Sequence, residues 1–451
     1  MNSFTSKKSL WLSVVFVLLT VSTGFSQPAP KPFIQDIKLA EPSPTPFIKK
    51  TSDVVSTVDV ANGGLDSIDV PGYTGILIET LDGKVIKENY SNYAFNPASN
   101  VKVATAYAVL KTFGPDYRFP TNIWTDGTID RFSGTLNGNL YISGRDPVFS
   151  YENAMTIADV LNSTGIKQVT GDLVVTDNFV MNFSASPVGS ASALMTAMDS
   201  SKRNTAAIKA WQNYVVTSKK TGKVSMNPGV SFGGRSYVQP VPANARLIFS
   251  HESPKIREIV KVTLCFSNNF LAERLGDMVG GAYAVARVVQ MGAQVSPEEF
   301  NIASSSGLGI NRVTPRAQMK LLRALRNDLE KYKMTFADIM PVAGVDDGTL
   351  ENRFNTTLST GSVVGKTGTL PHTDGGVSTL SGEINTRKGK LLFVIFNQRG
   401  NVSRFRSFQN NYVSIIQSYF GGGVPMKYDQ VDLNERMAGT KISYPQKTKE
   451  E

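Results

Sequence analysis

Cysteine and histidine are almost missing from this chain of 451 residues. A single cysteine, Cys265, excludes any disulfide within the chain and any thiolate metal cluster. The two histidines, His251 and His372, lie far apart, which excludes a HExxH metalloprotease or a histidine-rich zinc site. With no G-x-S-x-G turn either, a hydrolase of the Ser-His-Asp type has little to draw on. Long apolar runs are equally scarce: none follows the one at 10–21. Charged residues are 19% and hydrophobic residues 41%, so the chain is neither disordered nor membrane-embedded. Acidic side chains are the minority among charges, leaving a formal +10. That balance favours a polyanionic partner: nucleic acid, anionic lipid or an acidic wall polymer. No basic stripe with interleaved aromatics accompanies it, so nucleic acid is not expected.

What is present begins with a secretory pattern. Lys7 and Lys8 precede the apolar run, and Gly24-Phe25-Ser26 places small residues before a cut after Ser26. The run would reach only about 18 Å of a ~30 Å bilayer core, too short for an anchor. The reading is therefore a signal peptide at 1–26, export to the periplasm or cell envelope, and no transmembrane helix after cleavage. Residues 27–72 carry Pro28, Pro30, Pro32, Pro42, Pro44 and Pro46, an extended arm or linker.

Order is expected from Tyr73, with a hairpin turning at Asp82-Gly83 and a helix from Asn100 to Thr112. Residues 136–178 read as strands and turns, and 184–225 show no clear element. Helical periodicity returns at 256–279 and 315–329. Strands are expected at 363–369, 377–384 and 391–397, a closing helix at 404–419, and a loose charged tail at 441–451.

One spacing carries chemistry. In Ser99-Asn100-Val101-Lys102 the serine and lysine share a helix face, so the amine reaches the hydroxyl. Free amides at the helix start can stabilise charge on an attacked carbonyl. Taken alone, Ser99 reads as well as a helix N-cap and Lys102 as a solvated side chain. Partners in the right order decide: Ser267-Asn268-Asn269 and Lys366-Thr367-Gly368 follow, completing S-x-x-K, S-x-N and K-T-G. Two other matches break the pattern. Lys220-Thr221-Gly222 precedes every S-x-N and sits in a polar, exposed-looking stretch. Ser225-Met226-Asn227 runs into Pro228-Gly229 and reads as a turn.

With these motifs the chain resembles the D-alanyl-D-alanine carboxypeptidase/endopeptidase group, the S13 peptidases, which are low-molecular-mass penicillin-binding proteins with a large insertion. The likeness runs from about Tyr73 to Tyr419. It includes Asn96-Pro97-Ala98-Ser99, Gly144-Arg145-Asp146-Pro147, Ser267-Asn268-Asn269-Phe270-Leu271-Ala272-Glu273, Ser306-Gly307-Leu308 and Gly348-Thr349-Leu350 with Arg353. Departures include Arg145 before Asp146, an extra acidic residue at Asp346-Asp347, and a segment between Ser99 and Ser267 shorter than is usual. An inserted subdomain is thus expected to be trimmed or missing.

The resemblance implies an α+β fold: a β-lactamase/transpeptidase-like antiparallel sheet flanked by helices, with a mostly β inserted domain. Residues 73–115 and 254–420 would form the catalytic domain, 116–253 the insertion and 421–451 a tail. It implies Ser99 as nucleophile, Lys102 as base, Ser267 as proton relay, and Asn269 holding the substrate amide. Lys366 would lower the pKa of Lys102 and, with Thr367, bind the terminal carboxylate of the substrate. Thr369, on the strand of Gly368, would complete the oxyanion hole, and Asp146 would touch the amino end of a stem peptide. The implied substrates are peptidoglycan stem peptides, the implied inhibitors β-lactams, and no cofactor or metal is required. A serine β-lactamase and a non-catalytic wall-binding protein are the alternatives.

Overall fold

The computed structural model describes residues 69–218, 225–356 and 359–446. The signal segment, most of the proline-rich arm and the second Lys-Thr-Gly lie outside the described residues. Tyr73–Thr80 and Val85–Asn89 form the expected hairpin, turning through Gly83 at φ +98°, a backbone sign that glycine adopts without Cβ strain. Tyr73–Thr80 also pairs antiparallel with Gly389–Gln398 from the far end of the chain. Val377–Thr386 and then Val363–Leu370 complete a five-stranded antiparallel sheet, with Val363–Leu370 on its edge.

Both faces of this sheet are covered, as the strand period of two requires for a run such as Ile76-Leu77-Ile78. Leu77, Val394 and Phe396 face one core, while Ile76, Ile78, Phe393 and Ile395 face another. The first core is centred on helix α1 (Val101–Phe113), whose first ten residues are all buried. A helix apolar around its whole circumference belongs inside a protein. Gly114, at φ +82°, ends it.

The chain then leaves to build a second sheet. Its strand order is Ser236–Val238, Leu173–Val175, Leu140–Gly144, Pro120–Thr125, Arg246–Glu252 and Lys441–Ser443. The expectation that this insertion is mostly β does not hold. Helix α2 (Tyr151–Ser163) lies in the stretch read as strands and turns, and α3 (Pro187–Met198) and α4 (Thr205–Thr217) lie in the stretch left unassigned. The physical reason is strand direction. Leu140–Gly144, Leu173–Val175 and Ser236–Val238 run parallel, and parallel neighbours need crossover connections, which the helices supply. The tail is corrected too: Lys441–Ser443 is not loose but pairs with Arg246–Glu252.

Back in the first lobe, the helical stretch at 256–279 divides into α5 (Ile256–Cys265) and α6 (Asn269–Val279). Ser267 between them sits at φ +54°, and the Asn268 side chain caps α6 by accepting the Leu271 N–H at 3.0 Å. Helices α7 (Gly281–Gly292) and α8 (Pro315–Lys331) follow, α8 starting on a proline with Thr314 as its cap. Helix α9 (Val402–Tyr419) covers the other sheet face through Phe408, Tyr412 and Ile416. The architecture is α+β: an antiparallel sheet between helices, interrupted by a mixed α/β insertion. Among the described residues no helix is long and apolar enough to cross a membrane.

Candidate active site

Residues 96–100 are pinned to the sheet before α1 begins. The Asn100 amide donates to Thr379 Oγ1 at 2.8 Å, Thr379 donates to the Pro97 carbonyl at 2.8 Å, and Ser381 donates to Asn100 Oδ1 at 2.6 Å. Ala98 is forced to φ +47°, and Ser99 follows it in a turn of 3-10 helix. Positive φ on a residue with a Cβ costs energy, and the clamps around it hold it in place. Two glycines make room. A Cβ on Gly307 would lie 1.9 Å from the Ala98 carbonyl oxygen, and one on Gly368 would meet Thr379, Pro97 and Ala98 at 3.0 Å or less.

Lys102, one turn into the helix, points its amine at Ser99. Its Nζ lies 2.9 Å from Ser99 Oγ, 2.7 Å from Asn269 Oδ1 and 2.6 Å from the Ser306 carbonyl oxygen. Burial drives its pKa down to about 7, against a smaller upward pull from the Glu273 carboxylate. The partners have a consequence for the neutral amine. Two of them are carbonyl-type oxygens that only accept, so they take the two N–H bonds, and the lone pair faces the Ser99 hydroxyl.

Lys366 forms a second amine–serine pair. Its Nζ donates to Ser267 Oγ at 2.8 Å and to the Thr367 carbonyl at 2.7 Å. It is fully buried, and burial first, then the charge of Lys102, holds its pKa well below the usual lysine value. The dominant cause of the Lys102 shift is therefore burial rather than Lys366. Cys265, two residues before Ser267, is buried with its thiol pushed up to about 12, as befits packing rather than redox chemistry.

These groups surround a cleft of about 580 Å³ lined by Ser99, Ser267, Asn269, Thr367, Gly368 and Thr369. One wall is the free edge of Val363–Leu370. The Val363 carbonyl and the Gly365 N–H point outward, to Ala343 and Pro341. The strand period of two puts the backbone of Thr367 and Thr369 on the same side. The structure thus brings together Ser99, Lys102, Ser267, Asn269, Lys366, Thr367, Gly368 and Thr369. It does not bring Asp146 to them. That residue is buried just past the strand Leu140–Gly144 of the insertion, where it accepts the Val148 N–H at 2.9 Å and burial pushes its pKa up to about 7.

Several site residues had no role in the sequence reading. Arg353 and Arg406 line the cleft with no acidic partner among the described residues. Arg353 donates to Asn410 Oδ1 at 2.9 Å and Gln409 Oε1 at 3.1 Å, and Arg406 to Thr369 Oγ1 at 3.0 Å. Burial and the neighbouring Arg406 bring the Arg353 pKa down to about 10. Glu273 accepts the backbone N–H of Ser305 and Ser306 at 3.1 and 2.9 Å. Arg353 and Glu273 stood beside quoted motifs, a usable signal. Arg406 lies inside an ordinary closing helix and carried none. Of the two decoys, Ser225-Met226-Asn227 lies in the insertion beside Asp159 and Trp211, away from the cleft.

Comparison with known proteins matches residues 72–226 and 224–416 to the model of the D-Ala-D-Ala carboxypeptidase 3 (S13) family. The chain is 24% identical over 420 residues to a D-alanyl-D-alanine carboxypeptidase of Actinomadura sp. (strain R39), covering 71% of this chain and 77% of that one. Among solved structures it is similar to the penicillin G acylated Bd3459 predatory endopeptidase of Bdellovibrio bacteriovorus in complex with immunity protein Bd3460. That match has a TM-score of 0.69 and 20% identity, covering 83% of this chain and 100% of that chain. Penicillin binding protein 4 (dacB) of Haemophilus influenzae, complexed with a β-lactam, matches at TM-score 0.57 and 20% identity, covering 78% and 98%.

Proposed function

The chain belongs to the S13 family of D-Ala-D-Ala carboxypeptidases, serine-type peptidases, and from that membership we propose that it removes the terminal D-alanine of peptidoglycan stem peptides through an acyl-enzyme on Ser99. The observation that carries this reading is the Lys102 amine, 2.9 Å from Ser99 Oγ and held between two acceptors at a pKa of about 7. Such a lysine is a base at neutral pH without any histidine.

In this mechanism Lys102 takes the Ser99 proton as Oγ attacks the carbonyl between the two D-alanines. The amides of Ser99 and Thr369 stabilise the oxyanion. Asn269 gives its carbonyl oxygen to Lys102 and keeps its NH₂ for the substrate backbone. Ser267, backed by Lys366, passes a proton to the departing amine, and water then hydrolyses the ester by the reverse route. The role expected of Lys366 at the carboxylate is reassigned. It reaches the cleft only through Ser267, whereas Arg353, Arg406, Thr367 and Thr369 line the wall. Two arginines without acidic partners suit a free terminal carboxylate, which favours carboxypeptidase over internal cleavage. β-Lactams would acylate the same serine, as the penicillin G adduct of the similar Bdellovibrio endopeptidase suggests. The signal-like start supports export to the periplasm or cell envelope.

The experiment is fluorescent penicillin labelling with mass spectrometry of muropeptides. Wild type should form a stable adduct and release one alanine from a pentapeptide stem. Labelling retained in Ser99→Ala would remove Ser99 from the nucleophile role.

A further inference from the structure

A groove of about 820 Å³, larger than the cleft, opens at the far end of α1 and α6. One side is aromatic. Phe113 and Tyr117 lie with ring centroids 5.2 Å apart, and Phe119 meets Tyr117 edge-on at 5.3 Å. Tyr117 remains 40% exposed and lines the groove. The other side is polar: Asn122, Ser143, Asp177, Asn178 and Gln239 line it. Asn122 uses its oxygen to accept from Ser250, and Asn178 to accept from Thr176, which leaves their NH₂ groups as donors.

The groove's place in the fold marks it as a binding site. Apart from Asn122, its polar wall comes from the carboxyl ends of the three parallel strands Leu140–Gly144, Leu173–Val175 and Ser236–Val238. The crevice outside the carboxyl ends of parallel strands is where α/β sheets take ligands. Exposed aromatic surface beside several amides and one carboxylate matches a sugar ring, which has apolar C–H faces and a rim of hydroxyl and acetamido groups. Arg145 and Asp177 offset one another in charge, so the lining suits a neutral chain rather than a polyanion.

Distance ties the groove to the cleft. Asn269 lines the cleft and Met278, nine residues on along α6, lines the groove. That interval is about 14 Å at 1.5 Å per helical residue. Residues 269, 270, 273, 274, 277 and 278 form the less buried stripe of α6 between them, partly roofed where Phe270 meets Phe183 and Arg274 donates to the Ser184 carbonyl. Four extended peptide residues cover about 13–14 Å, and roughly four residues separate the scissile bond from the sugar in a peptidoglycan stem. We propose that this groove holds the amino-sugar chain to which the stem peptide is attached. The proposal rests on the peptidoglycan reading above and deepens it: the enzyme takes its peptide still joined to the glycan.

The test uses the full chain with Ser99→Ala, so that binding is read without turnover, and N-acetylglucosamine tetramer as probe in calorimetric titration. Saturable binding is expected, weakened about tenfold or more by Tyr117→Ala and separately by Gln239→Ala, a surface change that leaves the aromatic cluster intact. In the active enzyme, the ratio of kcat/KM for a disaccharide-linked stem to that for the free peptide should exceed one and fall toward one in both variants. Phe132→Ala, at an exposed tip elsewhere in the insertion, is the control that should change neither readout. Absence of saturable sugar binding, unchanged affinity in both variants, or displacement of the sugar by a polyglycerol phosphate would overturn the proposal. Penicillin labelling is read alongside: labelling absent from the wild type, or retained in Ser99→Ala, with intact sugar binding sinks the Ser99 mechanism alone, and wild-type labelling that is lost in Ser99→Ala, without sugar binding, sinks the groove alone.

Discussion

Glu273 and Lys102 hold the same loop from two sides. The Glu273 carboxylate accepts the N–H of Ser305 and Ser306, while the Lys102 amine donates to the Ser306 carbonyl. The Glu273 carboxylate therefore orients an acceptor of the Lys102 amine and also biases the charge on that amine.

Glu273→Gln should expose both effects. Glu273 favours the protonated lysine, so its loss moves the acid limb of the penicillin acylation profile to lower pH. The loosened loop should also cut the plateau rate by roughly tenfold, the equivalent of about 1.4 kcal/mol. A lower plateau with an unmoved limb would leave Glu273 a purely structural prop.

In the wild type the acid limb should fall near pH 7. Lys102 must be neutral to take a proton, and its pKa is about 7 rather than the ordinary 10.5. Below that point the acylation rate should drop about tenfold per pH unit, and above it the rate should level off. Stopped-flow acylation by a fluorescent penicillin from pH 5 to 9 reads this directly. A rate still rising through pH 9 would show that the amine keeps its ordinary charge in the resting enzyme and is not poised as a base at neutral pH.

Arg353→Met and Arg406→Met should each lower kcat/KM for an acyl-D-Ala-D-Ala peptide by about 10- to 100-fold, since a hydrogen bond to a charged group contributes about 1.5–3 kcal/mol. The same peptide with a C-terminal amide offers no carboxylate and should respond far less. Equal losses on both peptides would mean that the arginines shape the cleft rather than read the carboxylate.

Gly307→Ala should disable Ser99 from outside the motif. The added Cβ would collide with the Ala98 carbonyl, and Gly307 already sits at φ +88°. Acylation should fall by more than about 100-fold, with a stability loss of roughly 1–3 kcal/mol. Penicillin labelling beside thermal melting separates the two losses, and normal labelling would show that the loop shifts to spare the serine.

Asp146→Asn should stabilise the fold at alkaline pH. The carboxyl titrates near 7 in the folded chain, against 3.8 ordinarily. Between these values the folded state binds the extra proton, so wild-type stability declines as pH rises through the window. The amide keeps the acceptor for Val148 and carries no charge. Melting temperatures of the variant and wild type should therefore agree near pH 4, diverge as pH rises to about 7, and stay apart above it in favour of the variant. A variant less stable at pH 8 would mean that Asp146 is ionised and paired.

The hairpin at Tyr73–Asn89, α1, α8 and the three strands from Val363 to Gln398 were legible because turn residues, caps and apolar periodicity are local signals. So was the gathering of Ser99, Lys102, Ser267, Asn269 and the Lys366 strand, since residues at i and i+3 share a helix face and the three motifs follow in order. The helices of the insertion were not legible. Residues 184–225 hold small and polar side chains whose helicity comes from packing over parallel strands, and strand direction leaves no mark in a short apolar run. The break at Ser267 within one helical pattern was also hidden, because a single left-handed residue leaves periodicity on either side intact.

By itself the sequence determined which reactive groups this chain owns, in what order, and that histidine, thiolate and metal chemistry have too few residues to act. Only the tertiary structure decided what those groups do. It buried two lysines, which lowers the pKa of both amines, and hid Lys366 behind Ser267. It also brought Arg353 and Arg406 from separate segments to one wall and kept Asp146 away. Burial and distance belong to the packed solid, and a linear pattern does not encode how deep a side chain will lie.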